Sequence, residues 1–183
     1  LTVDAGRILV QVLVVRCQTG DREAFADLVG LYGTKLRYYL AKLLGDPAAA
    51  EDAAQEVWFD VFKGLPRLAA PAAFPAWLYR IARARAYQTL RQRPEPCVAL
   101  GEVEPADPAS DAGDFSPEDA ERVHRALDQL SPEHREALVL RFLEGLSYED
   151  IAAVVGCELG TVRSRIHYAK RALRLGMERT NKT

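Results

Sequence analysis

Cysteine is scarce in this chain and carries no pattern. Cys17, Cys97 and Cys157 are odd in number, far apart and in no metal-ligand spacing, and His124, His134 and His167 complete no site with them. A disulfide framework and a cysteine-histidine zinc centre are therefore excluded, and free thiols in a reducing cytosol are the expectation. Long apolar runs are missing too. The run Ile8 to Val15 is too short to span a bilayer and has no small-residue cleavage site behind it, so it reads as the buried face of a first helix. The chain opens on Leu1 rather than Met, as a trimmed or misassigned start would. No nucleophile-base pair, phosphate-cradling glycine loop or metal cluster is present, which argues against an enzyme and against any cofactor or metal.

Charge of one sign is missing over whole stretches. From Val61 to Pro94 the chain carries Lys63, Arg67, Arg80, Arg83, Arg85, Arg91 and Arg93 and no acid. From Glu95 to Glu121 it carries acids and neither Lys nor Arg, and from Thr161 onward Glu178 is the only acid. The formal net charge of -2 hides this segregation. Two basic blocks separated by an acidic one suggest two phosphate-facing modules joined by a linker that repels DNA.

What is present is helical periodicity. A first helix is expected from about Arg7 to Gln18, broken by Thr19-Gly20-Asp21. A second, N-capped by Asp21, carries Phe25, Leu28, Val29, Tyr32, Leu36, Leu40 and Leu43 on one face. Gly45-Asp46-Pro47 stops it and starts a third. There Ala50, Ala53, Ala54, Val57, Trp58, Val61, Phe62 and Leu65 form an unbroken apolar seam. Its other face carries Glu51, Asp52, Gln55, Glu56 and Asp60, a pattern that solvation alone explains. Gly64 to Pro75, with Pro66 and Pro71, reads as a loop. A fourth helix then turns Phe74, Trp77, Leu78 and Ile81 inward and sets Arg80, Arg83, Tyr87 and Arg91 along another face. Arginines interleaved with aromatics suit single-stranded nucleic acid, with guanidinium groups for phosphates and rings for unstacked bases. Trp77 and Tyr79 also fit the core, which is the favoured reading for Trp77, while the absence of any nearby acid favours function for the arginines.

Arg93 to Pro117 is rich in Pro, Asp, Ala and Gly without an apolar period and reads as a flexible linker. Ser116-Pro117 opens a fifth helix with Val123, Ala126, Leu127 and Leu130. Ser131-Pro132 caps a sixth with Ala137, Leu138 and Phe142, ending at Gly145. Ser147 and Asp150 then form a capping box ahead of Ile151, Ala152 and Val155, and Gly156 stands where a left-handed turn is needed. A last helix restarts near Glu158. It turns Val162, Ile166, Ala169 and Leu173 inward and Arg163, Ser164, His167, Lys170, Arg171 and Arg174 outward, with fraying expected from Gly176. This is a helix-turn-helix whose second helix can enter the major groove. A plain helical hairpin shares the periodicity but not the ordered series of box, small residue, turn glycine and basic helix.

Two blocks of residues carry a family resemblance. Leu130-Ser131-Pro132-Glu133, Leu146-Ser147-Tyr148-Glu149-Asp150-Ile151-Ala152 and Gly160-Thr161-Val162-Arg163-Ser164-Arg165-Ile166 resemble the promoter-reading C-terminal domain of bacterial sigma factors. Glu51-Asp52-Ala53-Ala54-Gln55-Glu56-Val57-Trp58 and Phe74-Pro75-Ala76-Trp77-Leu78-Tyr79-Arg80-Ile81-Ala82-Arg83 resemble the family's other conserved domain. With these two domains and a short linker, the chain resembles an extracytoplasmic-function sigma factor. The resemblance implies an all-α protein of two four-helix domains. Residues 1–93 would be region 2, 94–117 a flexible acidic linker, 118–177 region 4 and 178–183 a tail. It implies core RNA polymerase, promoter DNA and an anti-sigma factor as partners. It also implies a cytoplasmic location, with no membrane insertion of the chain's own but a possible tether through that anti-sigma factor. By the same resemblance, Asp52, Gln55, Glu56 and Asp60 would bind polymerase. Arg67, Trp77, Arg80, Arg83, Tyr87 and Arg91 would bind and help melt the upstream element. Thr161, Arg163, Ser164, Arg165, His167, Tyr168 and Arg171 would serve the distal element. Ala84 stands where the family usually has Asn, and Tyr168 where an Arg is common. A regulator of the response-regulator type shares a similar helix-turn-helix, but it would need alternating strands and helices in a receiver domain, and residues 1–93 show only helical periods.

Overall fold

A computed structural model of the chain describes residues 2–92 and 125–180, which divide between two compact units. No strand occurs among the described residues. The expected linker, Val123 and Cys97 lie outside them.

The first unit contains α1 (Thr2–Gln18), α2 (Arg22–Leu44), α3 (Pro47–Gly64) and α4 (Phe74–Gln92). Local chemistry sets each boundary. Gly20 takes φ +93 after α1, a conformation open to glycine at little cost. Asp21 then caps α2 by accepting from Glu23 N at 2.9 Å and Ala24 N at 3.1 Å. The Ala24 N–H, and then Arg16 at 2.6 Å, hold the Asp21 carboxyl below the usual carboxylate range. Gly45 closes α2 at φ +67 with its N–H on Ala41 O, and Asp46 caps α3 with Pro47 in its first turn.

The α3 seam is rich in alanine, so α2 and α4 both pack closely against it. Ala50, Ala53, Ala54, Val57 and Val61 are buried there, and Tyr39 of α2 meets Tyr79 of α4 edge-to-face at 5.2 Å, both fully enclosed. Gly64 is required by close approach: a Cβ there would lie 2.8 Å from the Trp77 ring.

The described part of the second unit opens with a helical turn at residues 125–128. Helix α5 (Pro132–Leu138) follows, capped by Ser131 and continued by a π-helical stretch, Val139–Leu143. Then come α6 (Tyr148–Val155) and α7 (Leu159–Thr180). Arg135 donates to the carbonyls of Leu127, Asp128 and Leu130, closing the carbonyl end of the preceding turn. Leu140, Ile151, Val162, Ile166 and Ala169 form the centre of the core, with α5 packed on α7.

Several expectations need correction. Helix α1 starts at Thr2, well before Arg7, and the run Ile8 to Val15 is not its buried face. Only Leu13 and Val14 of that run are enclosed, while Ile8, Leu9, Val12 and Val15 are about half exposed, because an apolar run covers every side of a helix and only one side packs. The Gly64–Pro75 stretch holds two 3-10 turns, Leu65–Arg67 and Pro71–Ala73, because Pro66 and Pro71 sit at first-turn positions. Phe62 and Phe142, assigned to apolar seams, are more than half exposed. Phe62 meets Phe25 edge-to-face at 5.2 Å and is otherwise open to solvent, and the π-helical stretch turns Phe142 outward. Val154 is buried on α6 where Ala152 was expected, and Ala152 is half-buried. The backbone of α7 stays helical to Thr180 instead of fraying at Gly176.

Candidate functional site

The outer face of α3 presents Asp52, Gln55 and Glu56 to solvent, with Asp60 half-buried one turn on. Their spacing of three and four residues keeps them on one side of the helix. Two further residues share that side. Phe59 is 59% exposed, and Lys63 holds its ammonium 3.8 Å above the Phe59 ring. Sequence periodicity gave no signal for Phe59, because it assigns meaning only to the apolar side of a helix. Arg85 reaches across from α4. Its Nε and Nη2 meet Asp60 Oδ2 at 2.7 and 2.6 Å, and its Nη1 meets Glu56 Oε2 at 3.2 Å.

On α4, Arg80 and Arg91 are exposed, and Arg83 lies over the Tyr87 ring at 4.4 Å. These four share a face spaced by three and four residues. Arg85 stands about 160° round the helix from Arg83 at 100° per residue. The uninterrupted run of arginines therefore serves two different faces. Arg67 is exposed in the loop before α4. Trp77 is half-buried between Gly64 and Phe74, whose ring centroid is 6.2 Å away, so its ring is chiefly packing. Gln18, at the end of α1, donates its side-chain amide to Leu65 O at 3.1 Å and Leu68 O at 2.8 Å. It pins the first turn of that loop across 47 and 50 residues of sequence, a separation at which no local pattern signals the contact.

The helix-turn-helix has the expected joints. Asp150 N donates to Ser147 Oγ at 3.0 Å, and Ser147 N donates back to Asp150 Oδ2 at 3.3 Å, satisfying donors at both ends of the capping box. Gly156 turns at φ +71, with Cys157 N on Ala152 O. On α7 the structure groups Arg163, His167, Lys170 and Arg171 along the outward side, with Arg163 and Arg171 exposed. Ser164 donates its hydroxyl to Thr161 O at 2.9 Å, which leaves its lone pairs as the group offered outward. Arg165 and Tyr168 sit on the flank towards α5. Tyr168 faces His134 at 6.3 Å, and its hydroxyl is enclosed without a hydrogen-bond partner. Burial first of all pushes the His134 imidazole below its ordinary pKa, with Arg165 adding to the shift.

Cys17 and Cys157 are free and half-buried, and burial pushes the Cys17 thiol up, away from the reactive thiolate. Among the described residues no cluster of His, Cys, Asp and Glu is placed to hold a metal, and no helix is long and apolar enough to cross a membrane.

Known proteins give this geometry a context. The family model for Sigma-70 region 2 matches residues 28–94, and that for Sigma-70, region 4 matches residues 120–173. The RNA polymerase sigma-H factor of Pseudomonas aeruginosa is 38% identical over 178 residues, covering 89% of this chain and 91% of its own length. The ECF RNA polymerase sigma-E factor of Escherichia coli K12 is 35% identical with the same coverage. Among solved structures, the sigma factor RpoE of Bartonella quintana, in complex with the anti-sigma factor NepR, aligns at TM-score 0.66 and 27% identity over 84% of this chain and 96% of its own. CnrH, in complex with the cytosolic domain of CnrY, shares the fold at TM-score 0.67 and 23% identity over 93% and 97%. A relative this similar over nearly its whole length, with both region models matched in order, identifies the chain: it belongs to the extracytoplasmic-function sigma factors, which bind core RNA polymerase and direct it to promoters.

Proposed function

We propose that the chain divides its work among three surfaces on two domains, region 2 at residues 1–93 and region 4 at 118–177, joined by the acidic stretch 94–117. Asp52, Gln55, Glu56 and Asp60 bind core polymerase. Arg67, Arg80, Arg83, Tyr87 and Arg91, with Trp77 holding the loop against α3, take the upstream promoter element and help open it. Thr161, Arg163, Ser164, His167 and Arg171 enter the groove of the distal element, while Arg165 and Tyr168 act at its edge. The observation that carries this reading is the segregation of charge by face. Carboxylates project from α3, cations from the far side of α4, and cations again from the outward side of α7. Arginines on DNA gain from released counterions, and a few of them select bases by paired hydrogen bonds. The polymerase makes the RNA, and this chain supplies address and strand opening without catalysis of its own.

An anti-sigma factor that holds the chain until a signal arrives fits this family reading, and the Bartonella quintana complex supports it. The chain then works in the cytoplasm, where polymerase and promoter are, and any hold at the membrane comes through that partner. The deciding experiment is cosedimentation of the full chain with bacterial core polymerase beside the Asp52→Lys/Glu56→Lys double variant. Tight binding lost in the double variant is expected, and equal binding by both would remove α3 from the interface.

A further inference from the structure

Among the cations of the acid-free stretch, Arg85 is set apart by its geometry. It lies on the side of α4 that faces α3, and both acids it engages belong to the face read above as the polymerase surface. We propose that Arg85 is a positioning residue for that surface: it holds Glu56 and Asp60 as a preorganised pair of carboxylates ready for a cationic group of the polymerase. The proposal rests on the polymerase reading of α3.

Three observations carry it. First, Glu56 and Asp60 are four residues apart on one helix, where like charges repel, and the Arg85 guanidinium sits between them at 2.6 to 3.2 Å. Second, Arg85 engages one oxygen of each acid, Oδ2 of Asp60 and Oε2 of Glu56. A carboxylate accepts through two oxygens, so Oδ1 and Oε1 stay available for a partner. A polymerase cation can thus add to the pair without displacing Arg85. Third, the Glu56 side chain is 62% exposed, so without a tether it samples many rotamers. Fixing it before the encounter removes an ordering cost from binding. Arg85 itself is 30% exposed, pointing at α3 and away from the Arg83–Tyr87 face, so it is poorly placed to reach DNA.

The test measures affinity of the full chain for core polymerase by titration at a temperature well below every variant's melting midpoint, with the midpoints measured separately. Arg85→Gln is expected to weaken binding about tenfold, the scale of coupling between groups in one charge network. In an Asp60→Asn/Glu56→Gln background the same change is expected to add little, because the acids it organises are gone. Arg85→Gln binding as tightly as the parent, or more tightly, would overturn the proposal, the second result marking Arg85 as a competitor. Losses that simply multiply in the combined variant would overturn it too, since a general loss of α3–α4 packing acts independently of the two acids. A lowered midpoint with unchanged affinity would make Arg85 structural only. The Asp52→Lys/Glu56→Lys variant runs alongside. If it loses binding and Arg85→Gln does not, the positioning role fails and the interface stands. If neither loses binding, the interface reading itself has failed.

Discussion

The α3 face of the first unit and the α7 face of the second present their charges in different ways. Around α3 the cations are already engaged: Arg85 spans Glu56 and Asp60, and Lys63 covers Phe59. On α7, Lys170 lies over the Phe142 ring at 4.9 Å, whereas Arg163 and Arg171 are exposed and make no ion pair among the described residues. On the proposed function, the difference follows from what each surface meets. DNA is a dense polyanion, so a bare cation on α7 gains on arrival by releasing counterions from the phosphates. A protein surface is a mosaic, and recognition of it depends more on holding a few groups in one geometry, which internal pairing achieves.

This contrast can be broken most sharply on α3. Asp52→Lys/Glu56→Lys should weaken polymerase binding about a hundredfold or more, because on the proposed reading each change reverses a charge that the polymerase engages. On α7, Arg163→Ala should weaken binding to the distal element by about 1–3 kcal/mol and relax the choice of one base pair, measured by competition titration with point-changed duplexes. Arg171→Ala should instead weaken all sequences alike and lower the salt slope by about 1.

Smaller effects test how each unit is held together. Gly64→Ala puts a methyl 2.8 Å from the Trp77 ring and should lower stability by about 1–2 kcal/mol, read as a lower denaturant midpoint. If the midpoint is unchanged, the Trp77 ring shifts freely and does not brace the loop. In the second unit, the folded-state pKa of His134 is depressed by burial. The unfolded chain therefore binds that proton more readily. The stability His134 contributes is present above its unfolded pKa of about 6.5 and is lost as pH falls through that value towards the folded one. A thermal melt between pH 8 and pH 5.5 should show the loss, and His134→Gln should flatten it.

Much of this protein was legible along the chain. Caps and turn residues act on neighbours within four positions, so Asp21, Asp46, Ser131, Ser147 and Gly156 announced the helix boundaries they set. The acidic face of α3 and the basic face of α7 could be read from a single helical period. Phe62 and Phe142 could not: the period marks a side of a helix, while exposure depends on how far the neighbouring helix extends along it. Nor did α1 end its apolar pattern where burial ends, since Ile8, Val12 and Val15 remain about half exposed.

By itself, then, the sequence determined the all-helical class, the capped boundaries, the helix-turn-helix and the segregation of charge, because each depends on spacing within one or two turns. Only the tertiary structure decided which arginine of α4 faces α3, that Gln18 pins the loop carbonyls of Leu65 and Leu68, and that Tyr168 turns its hydroxyl inward. Those contacts join residues distant in the chain, and their partners are set by how whole helices pack.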